Sequence, residues 1–496
     1  MQKYVIAIDQ GTTSSRTIVF DKSGRIVSQA QREIEMIYRD ENTVEQRAYD
    51  IWRTVLNTLA ESLLSAEILP EEIASIGITN QRETIVLWDR ETGEPLYDAI
   101  VWQSKQSNDI CKALKQQGLS SFFKDKTGLV IDPYFSGTKI KWALENVPGI
   151  QEKMDNDQLM VGTVDSWLLY KLSGHKVHKT DVTNASRTLL YNIHTHTWDD
   201  EILSLLGINK RCLPEVVDSN AIFGQTAREM FFGAEIPIAG VLGDQQAALF
   251  GQLCLEQGSI KNTYGTGCFM LMNTGKTPVT SESGLLTTIA YSIDGNVTYA
   301  LEGSVFVAGS AIQWLRDYLH FFDSASDSET LAKTVTDTRG VVVVPAFAGL
   351  GTPYWNSEAK GAIFGLTRGT TQAHITRATL QSLAFQTKDI IDVMAKESKI
   401  TPKYLKVDGG ASMNDFLMQF QSDVLNKTII RPQIIESTAL GAAYMSGLAS
   451  GFYASIDELK NCAREDKTFK PKMTEAKRNH LYTQWQKAIM ATQKFT

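Results

Sequence analysis

The sequence predicts an α/β fold arranged as two large domains, and three observations carry this prediction. A chain of 496 residues is longer than one hydrophobic core usually serves. Strand-like and helix-like runs alternate along it, which is typical of α/β proteins. A strand, polar turn and strand near residue 10 recur near residue 265, about half a chain later. We therefore expect domains at residues 1–250 and 251–496, built on one plan.

The opening hairpin is the first element. Strands are predicted at Tyr4–Ile8 and Thr17–Phe20, joined by the polar loop Asp9–Arg16. The loop has one glycine and four hydroxyl residues, whose backbone N–H groups and hydroxyls suit an anion such as phosphate. Asp9, where the strand ends, could hold a water-coated magnesium ion. An ordinary turn rich in threonine and serine explains this stretch equally well, so the rest of the chain decides.

The first half continues as α/β sequence. A helix is predicted from about Arg47 to Leu64, because apolar residues recur there at i, i+4 spacing. The strand Ile73–Ile78 ends in a polar stretch, and ligands usually gather at such strand ends. Another strand, Ile236–Val241, leads to Asp244 at the start of a helix. Asp244 taken alone reads as a helix N-cap, which is a common structural feature. Residues 108–207 are expected to be mainly helical.

The second half repeats the opening pattern. A strand at Ser259–Tyr264, the turn Gly265–Gly267 and a strand at Cys268–Met272 mirror the first hairpin. A long amphipathic helix is predicted at Thr371–Lys396. The adjacent glycines Gly409-Gly410 then follow a strand and precede a helix, where a flat ring or a phosphate can lie against bare backbone. A simple helix-packing turn is the alternative. Two such halves are expected to face each other across a nucleotide.

Composition excludes several classes of protein. The net charge is −7 with no basic cluster, so nucleic acid is not an expected partner. The five cysteines are scattered without a CxxC pair, which argues against a disulfide framework or a structural zinc site and favours a reducing compartment. No apolar run approaches the roughly 18 residues of a membrane span. The first strand begins too early for a signal peptide. We expect a cytoplasmic protein.

Two common nucleotide signatures are absent. Gly275-Lys276-Thr277 looks like the end of a P-loop, but Met270 occupies the position of its first glycine. No GxGxxG follows a strand, so a dinucleotide-binding domain is not supported either.

The motifs together resemble the FGGY carbohydrate kinases, which belong to the superfamily of sugar kinases, heat-shock ATPases and actin. Within the family the resemblance is to its glycerol kinases, and it extends from Tyr4 to the C-terminal helix. The most specific matches are Asp9–Phe20, Asn80–Thr84, Ala99–Gln103, Gly243–Gly251, Tyr264–Phe269 and Gly409–Asn414. The resemblance implies two actin-like, ribonuclease-H-like domains with an ATP cleft between them. It implies ATP-dependent phosphorylation of glycerol to sn-glycerol 3-phosphate in glycerol catabolism, with Mg²⁺, by a homo-oligomer of two or four chains.

The resemblance also implies roles for individual residues. Asp244 is the expected general base, with Arg82 beside it in catalysis. Glycerol has three hydroxyls and no charge, so its site should combine hydrogen-bonding groups with an apolar wall. The implied glycerol-binding residues are Arg82, Glu83, Trp102, Tyr134, Asp244, Gln245 and Phe269. The implied ATP-binding residues are Thr12, Thr13, Ser14, Arg16, Thr266, Gly309, Gln313, Gly410 and Asn414. Domain closure is expected to complete the site and exclude water.

The sequence departs from the family pattern in four places, two of which bear on regulation. Met230 stands where some relatives carry a histidine that the sugar phosphotransferase system phosphorylates, so this control is expected to be missing. Glu235 lies where enteric relatives bind fructose bisphosphate, and a carboxylate would repel that anion. Tyr38–Glu45 replaces a stretch that usually contains Pro and Trp, and Lys105 stands for a usual Arg. Neither of these last two changes suggests a consequence.

Two other functions remain open from the sequence. One is a kinase of the same family acting on another polyol or a ketopentose. The other is an ATP-driven clamp of the actin and heat-shock type, which needs no polyol site. Arg82, Glu83, Asp244 and Gln245 favour a kinase over the clamp, and the Phe269 wall favours glycerol.

Overall fold

The computed structural model describes residues 2–356 and 358–495, which form two compact units. The first unit contains residues 1–253, 287–299 and 437–463, and the second contains residues 254–286, 300–436 and 464–496. The first change of unit falls after Leu253, near the predicted boundary at residue 250. Two later segments of the second half belong to the first unit, so the chain enters that unit three times.

The strands alternate with helices along both units. In chain order they are β1 Tyr4–Gln10, β2 Ser14–Asp21, β3 Ile26–Glu33, β4 Ile37–Tyr38, β5 Val44–Gln46, β6 Ile73–Asn80, β7 Ile85–Asp89, β8 Ala99–Ile100, β9 Leu159–Thr163, β10 Lys179–Asp181, β11 Tyr191–Asn192, β12 Thr197–Trp198, β13 Glu215–Val217, β14 Ile222–Gln225, β15 Pro237–Gly243, β16 Ile260–Tyr264, β17 Cys268–Gly275, β18 Leu286–Ile293, β19 Asn296–Val305, β20 Val342–Val344, β21 Ala362–Phe364, β22 Tyr404–Asp408, β23 Thr428–Pro432 and β24 Glu465–Phe469.

The α-helices are α1 Ala48–Ser65, α2 Asn108–Gln116, α3 Ser120–Thr127, α4 Ser136–Asn146, α5 Ile150–Asp155, α6 Val164–Leu172, α7 Val182–Ala185, α8 Asp200–Leu206, α9 Asp244–Gly251, α10 Gly309–Asp317, α11 Asp327–Lys333, α12 Gln372–Ser398, α13 Asp415–Leu425, α14 Ser437–Ala449, α15 Ile456–Cys462 and α16 Glu475–Lys494. The predicted helices at 47–64 and 371–396 are confirmed within two residues at each end. The stretch 108–207 is mainly helical, as predicted, although β9 also lies inside it and pairs antiparallel with β7.

The main sheet of the first unit places three parallel strands side by side. Its order is β14-β15-β6-β1-β2-β3, with β1 antiparallel to β2 and parallel to β6, and β6 parallel to β15. The carboxyl ends of β15, β6 and β1 therefore lie at one edge, where ligands of α/β proteins usually bind.

The opening hairpin has a shorter loop than predicted. Both strands extend further, so only Gly11–Thr13 connects them, and Asp9 lies opposite Arg16 in the ladder. The reason is that residues 14–16 also pair with β3, which holds them in extended backbone.

Helix α1 covers one face of this sheet. Its residues Ile51, Val55 and Leu59 are fully buried, as the i, i+4 spacing predicts. Two hydroxyl pairs also join it to β2: Ser15 Oγ lies 2.8 Å from Thr54 Oγ1, and Thr17 Oγ1 lies 2.8 Å from Thr58 Oγ1.

The main sheet of the second unit repeats the plan of the first. Its order is β18-β19-β17-β16-β22-β23-β24. The hairpin β16–β17 is antiparallel, β16 is parallel to β22, β22 is parallel to β23, and β24 is antiparallel to β23. The strands from β17 to β24 thus follow the same order and directions as β2-β1-β6-β15-β14. The repeat of the opening pattern in the sequence corresponds to this repeated topology.

No helix among residues 2–356 and 358–495 is long and apolar enough to cross a membrane. All five cysteines are free thiols, and four of them are buried.

Candidate active site

The strand register brings three polar segments of the first unit together. Gly243 of β15 lies opposite Asn80 of β6, and Asn80 lies opposite Gln10 of β1. The residues that follow these strands therefore meet at one edge of the sheet. They are Asp244 at the start of α9, the segment Gln81–Thr84, and the turn Gly11–Thr13.

Arg82 orients the carboxylate of Asp244. Its Nε lies 3.0 Å from Asp244 Oδ1, and its Nη1 donates a hydrogen bond of 3.2 Å to Gln246 Oε1. The Arg82 side chain is buried, whereas that of Asp244 is 32% exposed. The backbone N–H of Gln245 also donates to Asp244 Oδ1, at 2.7 Å. The N-cap of α9 is Gly243 and Asp244 is the first residue of the helix, so the interpretation of Asp244 as a helix cap is wrong. A buried guanidinium instead fixes a partly exposed carboxylate that can accept a proton.

A buried ion pair lies beside this carboxylate. Arg187 Nε is 2.6 Å from Glu83 Oε1, and both side chains are almost fully buried. Glu83 has a φ of 63°, a strained backbone conformation for a residue with a side chain. Ser136 Oγ donates to the Glu83 carbonyl at 2.9 Å and helps to hold it there. Arg187 was not predicted from the sequence. The one indication of such a residue is that a carboxylate buried at Glu83 needs a cationic partner.

Trp102 and Tyr134 form an aromatic wall near these groups. Their rings meet edge to face, with centroids 5.5 Å apart. Trp102 Nε1 donates to Thr12 Oγ1 at 2.9 Å, which joins the wall to the turn Gly11–Thr13. Lys139 Nζ donates to the Tyr134 carbonyl at 2.8 Å. Burial lowers the pKa of Lys139 to about 7, since the charged form is desolvated there. Lys139 was not predicted from the sequence either. Its hydrogen bond to the Tyr134 carbonyl positions that residue.

Gln31 of β3 holds two residues predicted to contact phosphate. Its Nε2 donates to Ser14 Oγ at 3.2 Å, and its Oε1 accepts from Arg16 Nε at 3.2 Å. Gln31 was missed because these contacts depend on strand register, which the sequence alone does not fix. Thr13 is exposed and Thr12 is half-buried, so the turn keeps an open side.

The matching turn in the second unit is joined to a helix N-terminus. Gly265 N donates to Gly267 O at 2.9 Å, and Gly309 N donates to Gly265 O at 3.0 Å. Thr266 is exposed, and its carbonyl accepts from Ala308 N at 2.8 Å. A Cβ on Gly309 would lie 2.5 Å from the Gly265 oxygen, so only glycine permits this approach.

The remaining predicted residues lie on separate elements of the second unit. Gln313 is exposed on α10, and Phe269 is half-buried on β17. Gly410 begins a 3₁₀ turn and has open space where a side chain would stand. Asn414 caps α13 and accepts a hydrogen bond from Leu417 N at 2.9 Å. The structure does not join these four residues in one contact network.

The chain matches the family models "FGGY family of carbohydrate kinases, N-terminal domain" over residues 4–251 and "C-terminal domain" over residues 260–450. It belongs to the FGGY family of carbohydrate kinases. This confirms the predicted family and the α/β fold class of this FGGY kinase.

The FGGY chain is similar over its full length to characterised relatives. It is 57% identical over 495 residues to a glycerol kinase of Geobacillus sp. (strain WCH70), with 100% of both chains covered. It is 36% identical to Plasmodium falciparum glycerol kinase, whose structure was solved with ADP, at a TM-score of 0.94 covering 99% and 98% of the two chains. A gluconate kinase of Lactobacillus acidophilus, 23% identical with complete coverage of both chains, shares the fold at a TM-score of 0.88.

Proposed function

We propose that this FGGY kinase transfers the γ-phosphoryl group of ATP to glycerol, giving sn-glycerol 3-phosphate for glycerol catabolism. The observation that carries the proposal is the position of the Asp244 carboxylate, which the buried side chain of Arg82 holds at the carboxyl end of β15. The 57% identity to a glycerol kinase supports glycerol as the acceptor. In this proposal residues 1–250 supply the phosphate hairpin and the glycerol site, and residues 251–496 supply further ATP-binding groups.

Glycerol is held by hydrogen bonds on one side and an apolar surface on the other. Arg82 offers donors and Glu83 offers acceptors, which matches hydroxyls that both donate and accept. Trp102 and Tyr134 pack against the carbon chain, with Phe269 of the second unit and the amide of Gln245 as further contacts. A short polyol fits this combination because it has no charge to neutralise.

Asp244 acts as the general base. It takes the proton of the attacking hydroxyl as that oxygen bonds to the γ-phosphorus and ADP leaves. A base in this role typically contributes about 10²–10⁴-fold in rate. Thr12, Thr13, Ser14 and Arg16 stabilise the phosphates from the first unit. Thr266, Gly309, Gln313, Gly410 and Asn414 contact ATP from the second unit. Charge stabilisation and positioning supply most of the remaining catalysis.

Asp9 fits a magnesium site reached through water. Asp9 is a partly exposed residue next to the last residue of β1, and Mg²⁺ usually combines one or two carboxylates with waters and phosphate oxygens. Mg²⁺ bound there supplies positive charge for the phosphate groups of ATP. Asp9 would orient one of its waters.

The experiment is a panel of acceptors with the purified chain. ATP turnover should require glycerol and should be much weaker with xylulose, ribulose, gluconate or no added acceptor. Turnover independent of the acceptor would support an ATP clamp instead, and a preference for a pentulose would replace glycerol as substrate. The variant Asp244→Asn should bind glycerol and lose about 10²–10⁴-fold in kcat. The control Asp109→Asn, on a side chain 94% exposed, should keep full kcat.

We further infer that phosphotransferase control is missing. Met230 packs against the apolar core, and its thioether cannot accept a phosphoryl group. Incubation with the phosphocarrier protein and its phosphate donor should leave the chain unphosphorylated, and phosphohistidine found anywhere in the chain by mass spectrometry would contradict this. Inhibition by fructose bisphosphate is not expected at Glu235, although Arg228 Nε lies 3.3 Å from its carboxylate. We also propose a dimer or tetramer acting in the cytoplasm, where ATP is available.

A further inference from the structure

The second unit contains a cavity of about 480 Å³ that the proposed reaction does not use. Its walls are helices α12, α13 and α16 and the segment Thr336–Gly340. This volume lies in the range of small-molecule pockets, about 300–1,000 Å³. Among the described residues that line it, none is assigned above to glycerol or ATP.

Gln381 is a buried polar side chain at the wall of this cavity. The residue is only 7% exposed, and among the described residues its amide has no hydrogen-bond partner. Its amide nitrogen and oxygen are not fully desolvated, so they reach the open space beside the side chain. The small exposed part of Gln381 opens into the cavity, so its amide is available to a molecule bound there.

Arg377 lies one helical turn before Gln381, on the same face of α12. Its Nη1 donates to the carbonyls of Ala332 at 3.0 Å and Val335 at 2.7 Å, and its Cζ lies 4.6 Å from the ring centre of Phe416. No carboxylate of the described residues lies within ion-pair distance of this guanidinium. Arg377 therefore presents a fixed, half-buried cation that has no direct ion-pair partner, although the charge of Asp337 acts on it through space.

The charges around the opening also favour an anion. Arg339 and Lys477 are exposed cations in the lining, and Asp337 and Asp423 are its carboxylates. Asp423 already accepts hydrogen bonds from three donors: Gln419 Nε2 at 3.1 Å, Lys472 N at 2.7 Å and Met473 N at 3.2 Å. These donors are neutral and all bond Oδ1, so Asp423 keeps its charge. The three cations Arg339, Arg377 and Lys477 still outnumber the two carboxylates of the lining.

We propose that this cavity binds a small organic anion, whose carboxylate or phosphate group lies against Gln381 and Arg377. Phe416 and Phe420 line the same space, and their rings accommodate the apolar part of the ligand. The site is separate from the residues proposed for phosphoryl transfer. Helix α13 carries both aromatic residues and is capped by Asn414, so the ligand contacts an element that also carries a proposed ATP-binding residue.

The test uses the full chain saturated with ADP and glycerol, so that the proposed active site is occupied. Benzoate and phenyl phosphate serve as anionic probes and benzamide as a neutral probe, with dissociation constants measured by ligand-observed NMR. At least one anion should bind tenfold or more tightly than benzamide. Preference for phenyl phosphate would indicate phosphate esters as the natural class, and preference for benzoate would indicate carboxylates.

Two sets of variants locate the bound probe. Gln381→Leu should weaken anion binding at least tenfold. Gln386→Leu, a buried glutamine on the same helix outside the cavity lining, should leave it unchanged. If Gln381→Leu does not fold, the exposed double variant Arg339→Gln/Lys477→Gln should weaken binding two- to fivefold at low salt. The proposal is overturned if neither anion binds, if benzamide binds equally well, or if the folded cavity variants bind like the parent chain.

Discussion

Arg187→Met tests whether the buried ion pair with Glu83 stabilises the fold around the candidate site. The two side chains lie 2.6 Å apart and are 0% and 2% exposed, so the substitution leaves a carboxylate buried without its nearest cation. Removing one partner of such a pair typically costs about 3–5 kcal/mol. Arg82 Nε lies 3.9 Å from the same Glu83 oxygen and compensates part of the charge. We therefore expect a loss of about 3 kcal/mol in the free energy of unfolding.

Urea unfolding followed by tryptophan fluorescence measures this loss through linear extrapolation. The matched control is Arg228→Met, because Arg228 and Glu235 form a pair whose side chains are 71% and 50% exposed. Such exposed pairs contribute about 0–1 kcal/mol. Adding Glu83→Gln to Arg187→Met should restore much of the lost stability, since the unpaired charge is then removed. The reasoning is refuted if Arg187→Met costs no more than the control, or if the double variant is no more stable than the single one.

Two further predictions concern other buried contacts. Burial raises the pKa of Asp389 to about 6, above the ordinary value of 3.8 that applies to the unfolded chain. The contribution of Asp389 to the free energy of unfolding is therefore fully present below pH 3.8 and is lost as the pH rises through 6. The free energy of unfolding of the parent chain minus that of Asp389→Asn should therefore fall by about 2–3 kcal/mol between pH 4 and pH 7. A difference that stays flat across that range would contradict the assignment. Gly441→Ala places a Cβ of α14 1.9 Å from the Ala247 carbonyl oxygen of α9. We expect the thermal unfolding midpoint, measured by calorimetry, to fall by several degrees. An unchanged midpoint would show that α14 and α9 can move apart without cost.

Local patterns in the sequence predict much of the fold. The hairpins at residues 4–20 and 259–272 are recognisable because glycine and hydroxyl residues interrupt β-branched runs. Helix α1 is recognisable from its apolar spacing. The sequence also predicts correctly that Asp244 lies at the junction of a strand and a helix. Because β15 is parallel to β6, Asp244 then lies at the same edge of the sheet as Arg82.

The contacts that complete the candidate site depend on tertiary structure and were not predictable in this way. Arg187 is 104 residues from Glu83, and nothing in its local sequence indicates that it is buried. Gln31 reaches Ser14 and Arg16 only through the register of β2 and β3. The return of residues 437–463 to the first unit depends on small residues in α14, which permit a close approach that no periodic pattern reveals.

The hydroxyl pairs between β2 and α1 bear on which changes of chain length the first unit tolerates. Ser15 and Thr17 are two residues apart on the strand, a rise of about 6.7 Å, and Thr54 and Thr58 are four apart on the helix, a rise of about 6 Å. Because these spacings match, both pairs form at once. A single residue inserted between Thr54 and Thr58 would turn one threonine about 100° away from the strand. Insertions and deletions in this part of α1 should therefore be far rarer among functional variants than substitutions at the same positions.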